Sequence, residues 1–179
     1  LPETLPEQVR QSIQNHYTRQ GRRYSAESLL PGAYAEYKKD PAGFSPWMTR
    51  QNTWETALAE RVVYVVTDVT LPLGGREQTS YPVGAAFDRT TGEKLSFWSL
   101  CAVPEAEAKE MLLGQVDPED PRRAPMLEAL TEDMVVIASD HYMISYPLGT
   151  LPGEELGTLL SGELPEGLLQ PWAVPEAQS

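Results

Sequence analysis

Asp140 and His141 form the one place in the chain where an acid and a histidine are neighbours. A histidine oriented by a carboxylate is the arrangement of a general base. The pair falls in the reversal between two short apolar runs, with no nucleophile identifiable beside it, so a solvated turn is the better reading. His16 sits next to Tyr17 on an amphipathic stretch, where a boundary histidine is expected rather than a ligand. Asp68 and Asp88 could serve as the two acids of a glycoside hydrolase, provided that the fold holds them at the fixed separation such chemistry needs. Glu105, Glu107 and Glu110, followed by Asp117, Glu119 and Asp120, are the densest carboxylates. Calcium needs a loop that wraps about six to eight oxygens around one point. The Asp-Pro-Glu-Asp-Pro break has charge but no glycine to turn sharply, and reads as a solvated acidic edge. Gly74-Gly75 is followed by no Lys-Ser/Thr, so it is no phosphate loop.

Cys101 is the only cysteine, which excludes an internal disulfide, and one cysteine with two well-separated histidines is not a zinc ligand set. No catalytic residue, metal or cofactor is assigned. Of the four tryptophans, Trp47 stands between Pro46 and Met48 in a loop. An exposed loop aromatic can anchor a partner, so Trp47 is a candidate for partner binding, together with Glu105, Glu107 and Glu110.

Charge narrows the partner. The net charge is −12, and residues 1–100 balance 11 basic against 11 acidic side chains, so the whole excess lies in residues 101–179. Nucleic acid, which needs cations against phosphate, is not expected. A basic partner is compatible. At 41% hydrophobic and 22% charged the chain is globular rather than disordered. The length suits a single domain over 1–179, with a helical segment at 1–44, a sheet core with inserted helices at 45–148 and an apolar, helical or irregular tail at 149–179.

The elements that must position these residues centre on Arg61–Leu100. Val62 to Leu71 is rich in branched and aromatic side chains, which fit a pleated, half-buried surface. Gly74-Gly75 supplies the reversal, Thr79 to Phe87 the return strand, and Pro82 puts that return at an edge or a bulge. Thr53 to Leu58 predicts a preceding strand. Met134–Ala138 and His141–Tyr146 predict a second hairpin in the same sheet. Thr4-Leu5-Pro6-Glu7 has capping-box spacing, and Leu5, Val9, Ile13 and Tyr17 recur every four residues as a helical stripe. A second helix over Ser28–Asp40 turns Leu30, Tyr34 and Tyr37 inward. Pro104 opens another, with Ala108, Met111, Leu112 and Val116 inside, and Pro125 to Leu130 a short one. Leu156, Leu159 and Leu160 have helical spacing, Trp98 is expected largely buried, and the last six residues frayed. The class is α+β: an antiparallel sheet built from hairpins, with helices on one face.

One segment carries a resemblance. Ala85-Ala86-Phe87-Asp88-Arg89-Thr90-Thr91-Gly92-Glu93-Lys94-Leu95-Ser96 follows an early helix, a Phe-Ser-Pro-Trp loop and paired strands, and precedes the Met134–Tyr146 hairpin. This order resembles the extracytoplasmic domain of unknown function in RsiV-type anti-sigma factors and PdaC-type peptidoglycan deacetylases. It covers roughly residues 45–148. Leu73-Gly74-Gly75-Arg76-Glu77 keeps only the glycines of that family's tyrosine-threonine-glycine-glycine-alanine-histidine segment. The resemblance implies a non-catalytic binding or sensing domain outside the membrane of a Gram-positive-type bacterium, held by an N-terminal anchor. It implies as partner a basic protein such as lysozyme, or cell-wall glycan. A cell-wall polymer hydrolase, or an accessory domain of one, using carboxylates such as Asp68 or Asp88, is the alternative.

Overall fold

The computed structural model describes residues 1, 3–21, 26–74, 77–153 and 157–176. Helix α1 (Glu7–Gly21) and helix α2 (Ala26–Lys39) precede strands β1 (Arg50–Leu58), β2 (Val62–Gly74), β3 (Glu77–Asp88) and β4 (Lys94–Leu95). Helices α3 (Phe97–Leu100), α4 (Glu105–Leu112) and α5 (Arg123–Ala129) follow, then strands β5 (Val135–Ile137), β6 (His141–Tyr146) and β7 (Thr158–Glu163). The architecture is α+β, as the sequence predicts, and both hairpins pair antiparallel: Val63 lies opposite Phe87 and Val136 opposite Met143. Gly74 pairs with Glu77, and Gly75 lies outside the described residues. β4 meets β3 only at Ala86 and Phe87, so β3 has an open edge at Pro82, where no ladder donor is needed.

The hairpins do not share a sheet. The order β1-β2-β3-β4 makes one, and β5-β6-β7 a second. The second lies across a face of the first, and Gly84 is what allows it: a Cβ there would fall 1.8 Å from the Val135 carbonyl oxygen. Thr56 Oγ1 donates to the Ile137 carbonyl at 2.6 Å, fixing the crossing at β1. Periodicity identified both hairpins, but it carries no information about which backbone passes over which.

Nor do the helices share one face. Side chains alternate along β2. Val62 and Tyr64 join Leu100, Leu112, Met126, Val135, Ile144 and Leu168 in the main core. Val63 and Val65 join Phe87 and the Leu5, Val9 and Ile13 stripe of α1 on the other side. α1 begins at Glu7, so the expected capping box is displaced: the Pro6 carbonyl accepts from the Val9 and Arg10 amides. In the main core three tyrosines hold the backbone. Tyr64 donates to the Ala173 carbonyl at 2.6 Å, Tyr146 to Met126 at 3.0 Å, and Tyr142 to Leu112. Burial raises all three phenols above their ordinary range, with Cys101 adding a smaller push at Tyr64, so each remains a donor.

The tail departs from expectation. Leu159 and Leu160 lie in β7, not a helix, because β6 offers an open edge and alternate residues of Thr158–Glu163 can half-bury against it; Leu156 lies outside the described residues. Pro175 bridges Ala59 and the Glu176 amide donates to Leu58 at 2.7 Å, so the chain is tied down to Glu176 rather than frayed from 174. Trp98 is only partly buried, under Lys109; the anchors after the turn are Phe97 and Leu100.

Candidate functional site

The turn at Asp88 is where the resemblance is sharpest. Asp88 Oδ1 accepts from the Thr90 and Thr91 amides, each at 2.8 Å. Partial burial pushes this carboxyl up, but the bonds from Thr91 and Thr90, together with Arg61, outweigh it and hold Asp88 below the usual range. Gly92 has φ +72°, and a Cβ there would fall 2.7 Å from Ser12 Cβ and 2.9 Å from the Val9 carbonyl oxygen. Ser12 Oγ donates to the Gly92 carbonyl at 2.9 Å. The Thr-Gly turn is thus the seat on which α1 docks, a structural reason for its residue types.

That geometry removes the two-acid reading. Asp88 lies opposite Val62 and Asp68 opposite Pro82, six positions apart along β2. At about 3.4 Å per residue this is about 20 Å, well beyond the ~9.5 Å upper limit for two acids across one glycosidic bond. Asp140 and His141 lie at the exposed β5–β6 turn and share a 2.7 Å hydrogen bond, which holds Asp140 below the usual range. His16 packs edge-on against Tyr17 and Phe87 at 5.2 and 5.3 Å between ring centroids, at the boundary of the α1 core. Burial pushes the Cys101 thiol up to about 11, away from the thiolate a nucleophile needs.

The sequence candidates for partner binding are not brought together. Trp47 lies against α2, where a Cβ at Gly32 would come 2.9 Å from its ring; it is half-buried, and its indole N–H has no hydrogen-bond partner among the described residues. Of the three glutamates on α4, Glu105 pairs with Lys109 at 2.9 Å and Glu110 with Arg123 at 2.5 Å. Arg123 also donates to the Leu113 and Val116 carbonyls, so Glu110 belongs to the joint between α4 and α5. Asp120 pairs with Arg122, which holds its carboxyl at about 2. On α4, α5 and the turn between them, the acids exposed without an ion-pair partner among the described residues are Glu107, Asp117, Glu119 and Glu128; Asp133, Glu163 and Glu166 are exposed and without an ion pair elsewhere in the same half. Sequence reasoning singled out Glu107 but not Glu128, and counting acids could not tell which had partners.

On α2, Leu30, Tyr34 and Tyr37 are 65%, 56% and 45% exposed, the reverse of the inward stripe expected. Among the described residues neither core cluster includes a residue of α2; its partners are Phe44, edge-on to Tyr37, and Trp47. Periodicity found the stripe correctly and misjudged what lies beside it.

On the α1 face of the large sheet a groove of about 530 Å³ opens between α1 and β1. Ile13, Gln14, Tyr17 and Thr18 of α1 line it, facing Gln51 and Thr53 of β1.

Two antiparallel sheets crossed face to face, with one helix on the outer face and a helical pair on the inner, define an α+β domain. The chain shares its fold with a member of the DUF3298 family, a domain of unknown function, from Bacteroides fragilis: the TM-score is 0.50 and the identity 13%, over 87% of this chain and 68% of that one. A DUF3298 family protein from Pseudomonas aeruginosa aligns with a TM-score of 0.47 and 16% identity, over 79% of this chain and 72% of that one. No family model and no curated protein matches the sequence.

Proposed function

We propose that this chain is a non-catalytic, extracytoplasmic binding or sensing domain of an envelope-anchored bacterial protein, and that its partner is a basic protein such as lysozyme. The observation that carries the reading is the unpaired set Glu107, Asp117, Glu119 and Glu128 on one helical pair, in the half of the chain that holds all the excess negative charge. The fold shared with a DUF3298 protein supports the domain type. The polar groups best placed for chemistry support it too, since Asp88 holds a turn and Tyr64, Tyr142 and Tyr146 hold backbone carbonyls.

Charge complementarity acts mainly on the association rate and is screened over about 8 Å at physiological salt. Calorimetric titration with lysozyme, at low and moderate salt, with a basic protein of similar size as control, tests the reading. The expected result is affinity for lysozyme that falls as salt rises and exceeds that for the control. Glu107→Lys with Glu119→Lys slows association while moving stability by no more than about 0.5 kcal/mol per site. Glu110 is left alone, because reversing it breaks the bond to Arg123. No heat at either salt, or equal affinity for the control, rejects the receptor reading.

A further inference from the structure

Helix α2 turns its apolar stripe outward. Leu30, Tyr34 and Tyr37 recur at i, i+4 and i+7, one line along a helix, and that line is its exposed side. Met48, 67% exposed, follows Trp47, whose ring rests against Gly32 of the same helix. Half of the eight large apolar side chains exposed among the described residues thus fall within residues 30–48. The others, Leu1, Trp54, Leu159 and Val174, come singly from separate parts of the chain, which is ordinary on a surface. The stripe is braced from its own side: the Tyr34 and Tyr37 rings lie 6.4 Å apart and 18° from parallel, and Phe44 meets Tyr37 edge-on at 5.6 Å.

Charge sets this segment apart from the rest of the chain. Residues 19–50 hold six basic side chains, Arg19, Arg22, Arg23, Lys38, Lys39 and Arg50, against three acidic ones, Glu27, Glu36 and Asp40. That is a local charge of +3 in a chain whose net charge is −12. Lys39 pairs with Glu36 at 2.8 Å. Lys38 Nζ lies 4.8 Å from the centre of the Tyr34 ring, so its stem follows the stripe and its ammonium stands at the border.

We propose that this face of α2 rests on an anionic lipid bilayer, with Leu30, Tyr34 and Tyr37 at the boundary of headgroups and acyl chains and Lys38 among the headgroups. Tyrosine suits that depth, because an apolar ring there carries a polar tip. α2 has 14 residues, and among the described residues no helix is long and apolar enough to cross a membrane, so the helix lies in the plane of the surface. The local positive charge selects anionic over neutral lipid. An acidic protein is the less suited occupant: a partner's anchor residues seat in a pocket, whereas headgroups and acyl chains close around a convex helix. The stripe shares no residue with the acidic surface of α4 and α5, so it stands or falls independently of the receptor reading.

The test sediments the full chain with vesicles of phosphatidylglycerol and phosphatidylcholine in equal parts, and with vesicles of phosphatidylcholine alone, at low and physiological salt. The expected result is saturable partition into the anionic vesicles, weaker by about fivefold or more into the neutral ones and falling as salt rises. Amide exchange on the anionic vesicles should slow over residues 29–39. Leu30→Ala should weaken partition about tenfold, and Lys38→Gln about fivefold, the effect of one charge near such a surface. Both side chains are exposed, so the urea midpoints of both variants should match the parent's, which separates lost binding from lost folding. No partition into anionic vesicles at low salt overturns the proposal. So do equal partition into both kinds of vesicle, slowed exchange centred on another segment, or full partition in both variants. Self-association of the chain without lipid that Leu30→Ala abolishes would give the stripe to a second copy and overturn it as well.

Discussion

The two faces of the four-stranded sheet use the same strands in different ways. The inner face is deep: Val62, Tyr64 and Ala86 meet α4, α5 and the second sheet, and the hydroxyls of Tyr64, Tyr142 and Tyr146 are tied to carbonyls. The outer face is thin. One helix covers it through Leu5, Val9 and Ile13, and beyond Val65 the core gives way to Thr67, Thr53 and an open groove. Alternation along β2 builds both faces at once, so a single run of branched residues supports two environments. Stability belongs to the face where backbones are locked together, and the groove opens on the face where they are not.

The sharpest way to break this contrast is at the crossing of the two sheets. Gly84→Val places side-chain atoms where the Val135 backbone now lies. Overpacking of a core costs about 1–3 kcal/mol, and because the obstruction here is backbone, a loss at or above the top of that range, about 3 kcal/mol, is expected in urea unfolding. An unchanged midpoint would mean that the sheets do not cross there.

Truncation compares the faces directly. Leu112 is fully buried in the main core, and Leu112→Ala should cost about 4 kcal/mol. Ile13 is as deeply buried, but α1 can settle onto the sheet beside the open groove, and cavity cost depends on how far a site can collapse. Ile13→Ala should therefore cost about 2 kcal/mol. Equal losses in parallel melts would show that the two faces are equally rigid.

The smallest effect concerns the seat of α1. Asp88 has a carboxyl pKa lowered on folding from 3.8, so its contribution is present above pH 3.8 and is lost as pH falls through the lower folded value. Asp88→Asn should lower stability at neutral pH and flatten the loss of stability below pH 3.8. Melting curves across acid pH that keep the parent's slope would assign the acid sensitivity to other groups.

Much of this fold can be read from the residues. Val62–Leu71 and Thr79–Phe87 announce a hairpin through β-branched content, the α1 stripe through its period, and the β5–β6 hairpin through two short apolar runs. What could not be read is what lies against what. Gly84 looks like any strand glycine until Val135 is placed over it. Leu30, Tyr34 and Tyr37 have the spacing of a core face and meet no core. The leucines before Glu163 suit a helix as well as a strand, and the open edge of β6 decides. The proposed acidic surface was legible only in part: the sequence places the excess charge in residues 101–179, but ion pairing is what separates Glu107, Asp117, Glu119 and Glu128 from Glu105, Glu110 and Asp120 on and between α4 and α5. The groove had no local signal, since its walls come from residues nearly forty positions apart whose side chains are individually unremarkable.

The central claim is that a basic partner meets the α4–α5 pair and leaves the opposite face untouched. Amide hydrogen exchange of the full chain, alone and saturated with lysozyme, tests it most directly. The account predicts slowed exchange over residues 105–128 and unchanged exchange over 7–18 and 50–54. Protection of α1 and β1 in place of α4 and α5, or no protected segment in a complex that calorimetry has detected, would contradict it.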